Sequence, residues 1–131
     1  MAMDRITLKN VTVEKNFADD ICDVPVDENK MKTALLNIIL NAVEAVPDKG
    51  GIIKINGRKE GDKCIIEIQD NGHGIASENI GKLFEPYFTI KEGGMGLGLA
   101  TAHNIIQSHG GTIEVESELN KGTKFAIGLK L

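Results

Sequence analysis

The sequence predicts an α/β two-layer sandwich: one mixed, largely antiparallel sheet with helices on one face. Strand-type and helix-type periodicities both occur, without the regular strand–helix–strand alternation that an all-parallel sheet requires. Two pairs of strand patterns are joined by short turns, Ile52–Arg58 to Lys63–Asp70 across Lys59–Asp62, and Thr112–Ser117 to Thr123–Leu131 across Glu118–Gly122, as antiparallel hairpins are. Between them and before them lie long apolar segments of helical period. With 131 residues and 41% apolar content, the chain fits one globular domain with a sizeable core.

The organising segment is Lys30–Val46. Wound at ~100° per residue, it places Met31, Leu35, Ile38, Ile39, Ala42 and Val46 on one face and Thr33, Asn37, Asn41 and Glu44 on the other. Leu36, Leu40 and Val43 make it apolar almost all round, which predicts a buried helix. Its polar stripe then needs partners, because an unpaired buried amide costs about 1–3 kcal/mol. A neighbouring loop could supply them for one Asn. Two amides a turn apart with a carboxylate below, in a chain with two glycine-rich loops, fit a magnesium-bound phosphate group better.

In chain order, Ile6–Phe17 mixes β-branched and polar residues in the manner of a half-buried strand. Ala18–Val26 reads as a turn and a short extended piece. Asp27 is placed to cap the long helix, which stops at Val46 before Pro47 and the turn residues Asp48-Lys49-Gly50-Gly51. After the first hairpin come the loop Asn71–Ile75, a short polar helix around Ser77–Leu83 and the aromatic run Phe84-Glu85-Pro86-Tyr87-Phe88. Thr89–Gly94 leads into a glycine-rich loop. A helix is expected over Leu99–Ser108, with Leu99, Ala102, Ile105 and Ile106 inward and Gly110-Gly111 as its stop. The last strand puts Phe125, Ile127, Leu129 and Leu131 on one face.

The net charge of −4 with scattered Lys and Arg leaves no footprint for nucleic acid or an anionic membrane. No stretch approaches the length of a membrane helix, and no signal sequence opens the chain. Cys22 and Cys64 give neither a disulfide framework nor a zinc spacing, so a reducing, cytoplasmic setting is expected.

Chemistry concentrates in the loops. In Asp70-Asn71-Gly72-His73-Gly74 a carboxylate, which only accepts hydrogen bonds, would select a ligand with a donor such as the exocyclic amine of adenine, whereas guanine offers an oxygen there. Alone this is equally a plain turn. Gly93–Leu99 presents backbone N–H groups at a helix start, an anion site by construction. It is neither a Walker loop nor a dinucleotide fingerprint, and its interleaved Met95, Leu97 and Leu99 distinguish it from a solvated linker. Lys91 can reach a terminal phosphate or simply face solvent. Thr123 can add a hydroxyl to a base or its water. His73 is expected to meet solvent, and His103 and His109 to serve structural roles.

Assembled in this order, the residues resemble the ATP-binding catalytic domain of bacterial sensor histidine kinases over nearly the whole chain. Asn37–Ala45 is similar to that family's N box, Asp70–Gly74 to its G1 box, Phe84–Lys91 to its F box, Gly94–Leu99 to its G2 box, and Lys121–Phe125 to its closing Gly-Thr motif. The resemblance implies a Bergerat-type fold binding ATP with Mg2+. Its nucleotide site would comprise Asn37, Asn41, Glu44 and Ala45 from the long helix, Asp70, Gly72, Gly74 and Ile75 from the first loop, then Phe84 and Lys91, and Gly94, Met95, Gly96, Leu97, Gly98 and Leu99 from the second loop, with Thr123. By the same resemblance Asn41, assisted by Asn37, would ligate the magnesium, Asp70 would bind the adenine amine, and a lid would span about Phe84 to Met95; Phe84–Gly94, with its glycines, charges and few buried contacts, is expected to be mobile until nucleotide orders it. Glu44-Ala45 and the short lid resemble the nitrogen-regulation subgroup.

The implied activity is donation of the γ-phosphoryl group to a histidine on an upstream dimerisation domain, and from there indirectly to a response regulator. No acceptor motif surrounds His73, His103 or His109, and no catalytic residue is identified within residues 1–131, so the chain is expected to be a monomeric single domain cut from a longer kinase. The parent is free to carry a membrane anchor. Other readings stand beside this one: a self-contained ATPase of the gyrase, mismatch-repair and heat-shock chaperone group, and a serine kinase of the anti-sigma-factor type or a nucleotide sensor with no transfer. The ATPases resemble one another in carrying a glutamate base one turn before the magnesium-binding asparagine, where this chain has Asn37.

Overall fold

A computed structural model describes residues 11–17, 27–47, 49–85 and 98–130. Five strands, β1 (Thr12–Phe17), β2 (Ile52–Glu60), β3 (Lys63–Asp70), β4 (Thr112–Glu118) and β5 (Gly122–Lys130), form one sheet in the order β1-β2-β3-β5-β4. The mixed character lies at one edge, where β1 and β2 are parallel; the remaining pairs are antiparallel. A parallel pair needs a crossover. Helix α1 (Glu28–Ala45) lies in that connection, whereas α2 (Ser77–Ile80) and α3 (Gly98–Ser108) fall between β3 and β4.

Period-two alternation sorts the sheet into a dry face and a wet one. Ile53, Ile55, Cys64, Ile68, Phe125, Ile127 and Leu129 point into a core closed by Met31, Ala34, Ile38, Ala42 and Val43 of α1 and Ala102 and Ile106 of α3. On the opposite face Arg58 pairs with Glu67 at 2.9 Å, and Lys124 reaches Glu116 at 3.3 Å and Glu67 at 3.6 Å. With helices on one side and an ion-pair network on the other, the expected two-layer sandwich is what forms.

Asp27 caps α1, its Oδ1 accepting the Lys30 N–H at 3.0 Å. The same residue ties the two long helices together, because its own N–H donates to His109 Nε2 at 3.1 Å while His109 Nδ1 bonds the Ile105 carbonyl at 2.8 Å. These partners fix the tautomer, with the proton on Nδ1. Helix α3 ends in a Schellman pattern, Gly111 N–H to Ile106 O and Gly110 N–H to Gln107 O, both at 2.9 Å. His103 stacks on Phe84, the ring centroids 4.8 Å apart. Both histidines therefore have the structural roles expected of them.

Several expectations need correction. Helix α1 is not buried all round: Leu36 is 36% exposed and Lys32 and Thr33 are exposed, because the sheet, α3 and the loop after Asp70 leave one side of it open among the described residues. Thr33 belongs to that side, its hydroxyl bonded back to the Asn29 carbonyl at 3.1 Å. Helix α2 stops at Ile80, not Leu83, where the i-to-i+3 bonds Lys82 N–H to Asn79 O and Leu83 N–H to Ile80 O tighten the chain into turns that bury Leu83. Strand β2 runs on to Glu60, so the first hairpin turns on Gly61 and Asp62 alone. Cys64 is disulfide-bonded, against the expectation from spacing; Cys22 lies outside the described residues. So do the extended piece over 18–26, the first part of the Ile6–Phe17 strand, and residues 86–97 of the lid and second loop.

The cap gives a direct check on this packing. Asp27→Ala is expected to lower unfolding free energy by about 1 kcal/mol, the usual worth of an N-cap. Urea denaturation followed by circular dichroism measures it, with Asp27→Asn avoiding most of the loss because an amide oxygen can still accept from Lys30.

Candidate functional site

The strand register assembles the site. Ile55, Ile68, Phe125 and Val115 are successive partners across β2, β3, β5 and β4, and form an apolar row on the inner face. Two residues further toward the end of the sheet the same alternation gives Ile53, Asp70, Thr123 and Ser117. Three polar side chains thus stand side by side where the core ends. Asp70 and Thr123 are each 4% exposed.

A buried carboxylate must be hydrogen-bonded. Asp70 Oδ1 accepts the Gly72 N–H at 2.9 Å, and the Thr123 backbone N–H also donates to the carboxylate. Desolvation pushes the Asp70 carboxyl above the usual aspartate range, opposed by those two N–H groups and by the nearby His73. Asp70 is thus a desolvated carboxylate with backbone partners and, among the described residues, no side-chain cation bonded to it.

The loop after Asp70 is sutured on every side. Gly72 lies against α1, where a Cβ would come within 2.5 Å of the Ala45 carbonyl oxygen. That carbonyl accepts the His73 N–H at 3.1 Å, so Ala45 has a backbone role. Gly74 adopts φ +74, and a Cβ there would overlap the Glu118 carbonyl, so this position needs glycine on both counts. Asn71 clamps the loop to the start of β2, its Oδ1 accepting from Ile52 N–H at 2.8 Å and its Nδ2 donating to Gly50 O at 2.9 Å. His73 is exposed, as expected, with Nδ1 bonded to Gly74 O at 2.6 Å. Ile75 is buried and its N–H donates to Ser117 Oγ at 2.7 Å.

Helix α1 presents Asn37, Asn41 and Glu44 half-buried. Neither amide has a side-chain hydrogen bond to a described residue, whereas Glu44 is engaged. A Cβ built on Gly98, the first residue of α3, would lie 3.8 Å from Asn37 Cβ, so the N-terminus of α3 opens beside that stripe. Leu99 packs against the core, and Phe84 is held by His103 and, edge-on at 6.4 Å, by Phe125. Of the predicted residues, Lys91, Gly94, Met95, Gly96 and Leu97 lie outside the described residues.

The sequence reading missed Ser117 and the clamp made by Asn71. A signal for Ser117 was present: Ile113, Val115 and Ser117 share the inner face of β4, and a hydroxyl in the third place of an apolar series marks the core's edge.

Residues 26–131 match the family model described as histidine kinase-, DNA gyrase B- and HSP90-like ATPase. The chain belongs to this family. The chain is 38% identical over 125 residues to sporulation kinase C of Bacillus subtilis, covering 95% of the chain and 29% of that protein. It is 40% identical over 111 residues to sensor histidine kinase ZraS of Escherichia coli, covering 85% of the chain and 24% of that protein. Among solved structures, the nucleotide-free catalytic domain of histidine kinase ThkA superposes with TM-score 0.86 at 31% identity, covering 98% of this chain and 84% of that one. The chain therefore spans under a third of the length of these two curated relatives, and its fold is that of histidine kinase catalytic domains.

Asp70 offers the sharpest check on the site. Asp70→Asn is expected to raise the ATP dissociation constant by roughly tenfold or more, since a bond to a charged acceptor is worth about 1.5–3 kcal/mol and an amide adds donors facing a donor. Stability at neutral pH should change little, because relief from burying a charge offsets weaker N–H bonds. The folded-state pKa is raised, so the carboxyl's contribution to stability is fullest below the unfolded value and is lost as pH rises through the folded one. Affinity follows the opposite course, falling as pH drops through that raised value and before an ordinary aspartate would titrate. Calorimetric titration of wild type and variant across pH measures both, and a pH-independent ratio of affinities would remove Asp70 from the ligand site.

Proposed function

We propose that this domain binds Mg-ATP and donates the γ-phosphoryl group to a histidine on a helical dimerisation domain of the same parent protein, from which a response regulator would take it. The observation that carries the reading is the buried, backbone-held Asp70 carboxylate on the row it shares with Thr123. A desolvated acceptor discriminates strongly for a donor, and the 6-amino group of adenine is one. Among the described residues, no helix is long and apolar enough to cross a membrane.

At the phosphate end, Asn37 and Asn41 offer hard amide oxygens, which suit magnesium when phosphate oxygens and water complete its shell. No cluster of His, Cys, Asp or Glu able to hold a metal occurs among the described residues, which fits an ion that arrives with its nucleotide. Bound there, magnesium would neutralise charge on the phosphates. The domain's own residues do the rest by positioning: Asp70 and Thr123 fix the base, the α1 amides and the α3 N-terminus receive the phosphate end, and Lys91 is proposed to reach the γ-phosphate. Transfer breaks the bond between the γ-phosphorus and the β,γ-bridging oxygen and forms a P–N bond. The imidazole proton must go to a base on the partner segment, since phosphoryl transfer relies chiefly on positioning and charge and this domain offers no base at Asn37. An amide cannot take a proton from water, which also disfavours the stand-alone ATPase.

The isolated domain is expected to bind Mg-ATP, hydrolyse it very slowly and remain unlabelled by γ-labelled ATP. Supplied with its helical partner segment, it should give acid-labile label there, lost in Asn41→Asp. Rapid phosphate release by the isolated domain would replace the kinase reading with the ATPase one.

A further inference from the structure

Ser117 Oγ is the junction of three elements. It accepts the Ile75 N–H of the Asp70 loop at 2.7 Å, contacts the Gly122 carbonyl of β5 at 3.0 Å, and lies 2.8 Å from Thr123 Oγ1. A hydroxyl has one proton and two acceptor positions. A carbonyl only accepts, so the Ser117 proton must point to Gly122 O. Both lone pairs of Ser117 are then filled, one by Ile75 N–H and the other by the proton of Thr123. This is the one assignment that satisfies every contact, and it spends the only donor Thr123 has on its side chain. What Thr123 Oγ1 has left is acceptor capacity, beside a carboxylate that also only accepts.

We infer that Ser117 is a specificity-determining positioning residue: by taking the Thr123 proton, it makes the base site acceptor-only, so that 6-amino purines are admitted and 6-oxo purines refused. The inference rests on the nucleotide reading above and deepens it. Asp70 alone leaves the selection incomplete, because a free Thr123 hydroxyl could rotate and donate to a 6-oxo group. Ser117 closes that route without touching the ligand.

The test compares ATP with ITP, which replaces the 6-amino group by an oxygen, in wild type, Ser117→Ala and Ser117→Thr. The wild-type preference for ATP should fall about fivefold to tenfold in Ser117→Ala, the scale of one hydrogen bond, and return in Ser117→Thr, which keeps a hydroxyl. In a Thr123→Val background, Ser117→Ala should leave the ratio unmoved, because the proton it controls is gone. Equal loss of ATP and ITP, or a further fall in that background, would reduce Ser117 to a structural residue and overturn the inference. Should Ser117→Ala fail to fold, the wild-type chain decides by NMR: a slowly exchanging Thr123 hydroxyl proton close to the Ser117 Hβ protons supports the assignment, and a Ser117 hydroxyl proton directed at Thr123 overturns it. A wild-type chain that binds ATP with the ratio unchanged in Ser117→Ala overturns the Ser117 role alone. A wild type that binds neither nucleotide overturns the underlying reading with it.

Discussion

The structure turns on the burial of one carboxylate at the end of a strand. Removing Asp70 from water is costly unless donors meet it, and the donors come from the backbone: Gly72 N–H two residues on and Thr123 N–H across the sheet. Each imposes a further condition. For Gly72 to fold back under the carboxylate, the loop must press against the C-terminal end of α1, which only a residue without a side chain allows next to the Ala45 carbonyl. The Thr123 N–H arrives because β5 pairs with β3 in the register Asp70 with Thr123. Helix, loop and hairpin are therefore held in one arrangement by the solvation of a single group.

The same sheet carries two different chemistries on its two faces for one reason, the period-two alternation of strand side chains. Outward residues form the network of Arg58, Glu67, Lys124 and Glu116, which is exposed enough to add little stability. Inward residues build the core and, one row past its end, the line of Asp70, Thr123 and Ser117. The site is the core's own pattern continued with polar residues. The hydrogen-bonding groups are therefore set in place by the strand pairing itself, which reduces the ordering cost of binding.

Family membership sets the frame in which Asn37 matters. Related ATPases and kinases share the nucleotide loops, and what separates hydrolysis from transfer is whether a base for water stands near the γ-phosphate. In the reading proposed above, an amide at Asn37, half-buried beside the start of α3, would leave that function to another chain segment.

The sequence by itself determined the elements and most of the candidate residues, because the information was local: hairpin spacing, the Asp27 cap, the glycine stop after α3, and the Asp-Asn-Gly-His-Gly run whose residue types announce a turn around an acceptor. It also determined the apolar face of the last strand, Phe125, Ile127 and Leu129. What only the tertiary structure decided were relations between distant segments. Helical periodicity could not tell that α1 keeps an open side at Leu36, since burial depends on how many neighbours arrive. The length of α2 was set by turn bonds that bury Leu83, and the bonding of Cys64 by a pairing that spacing does not specify. Ser117 was visible only as a hydroxyl in an apolar series. Its meaning came from register, which fixes that Ser117 faces Thr123 and Thr123 faces Asp70, because a strand's own sequence specifies which side a residue takes but not which residue stands opposite.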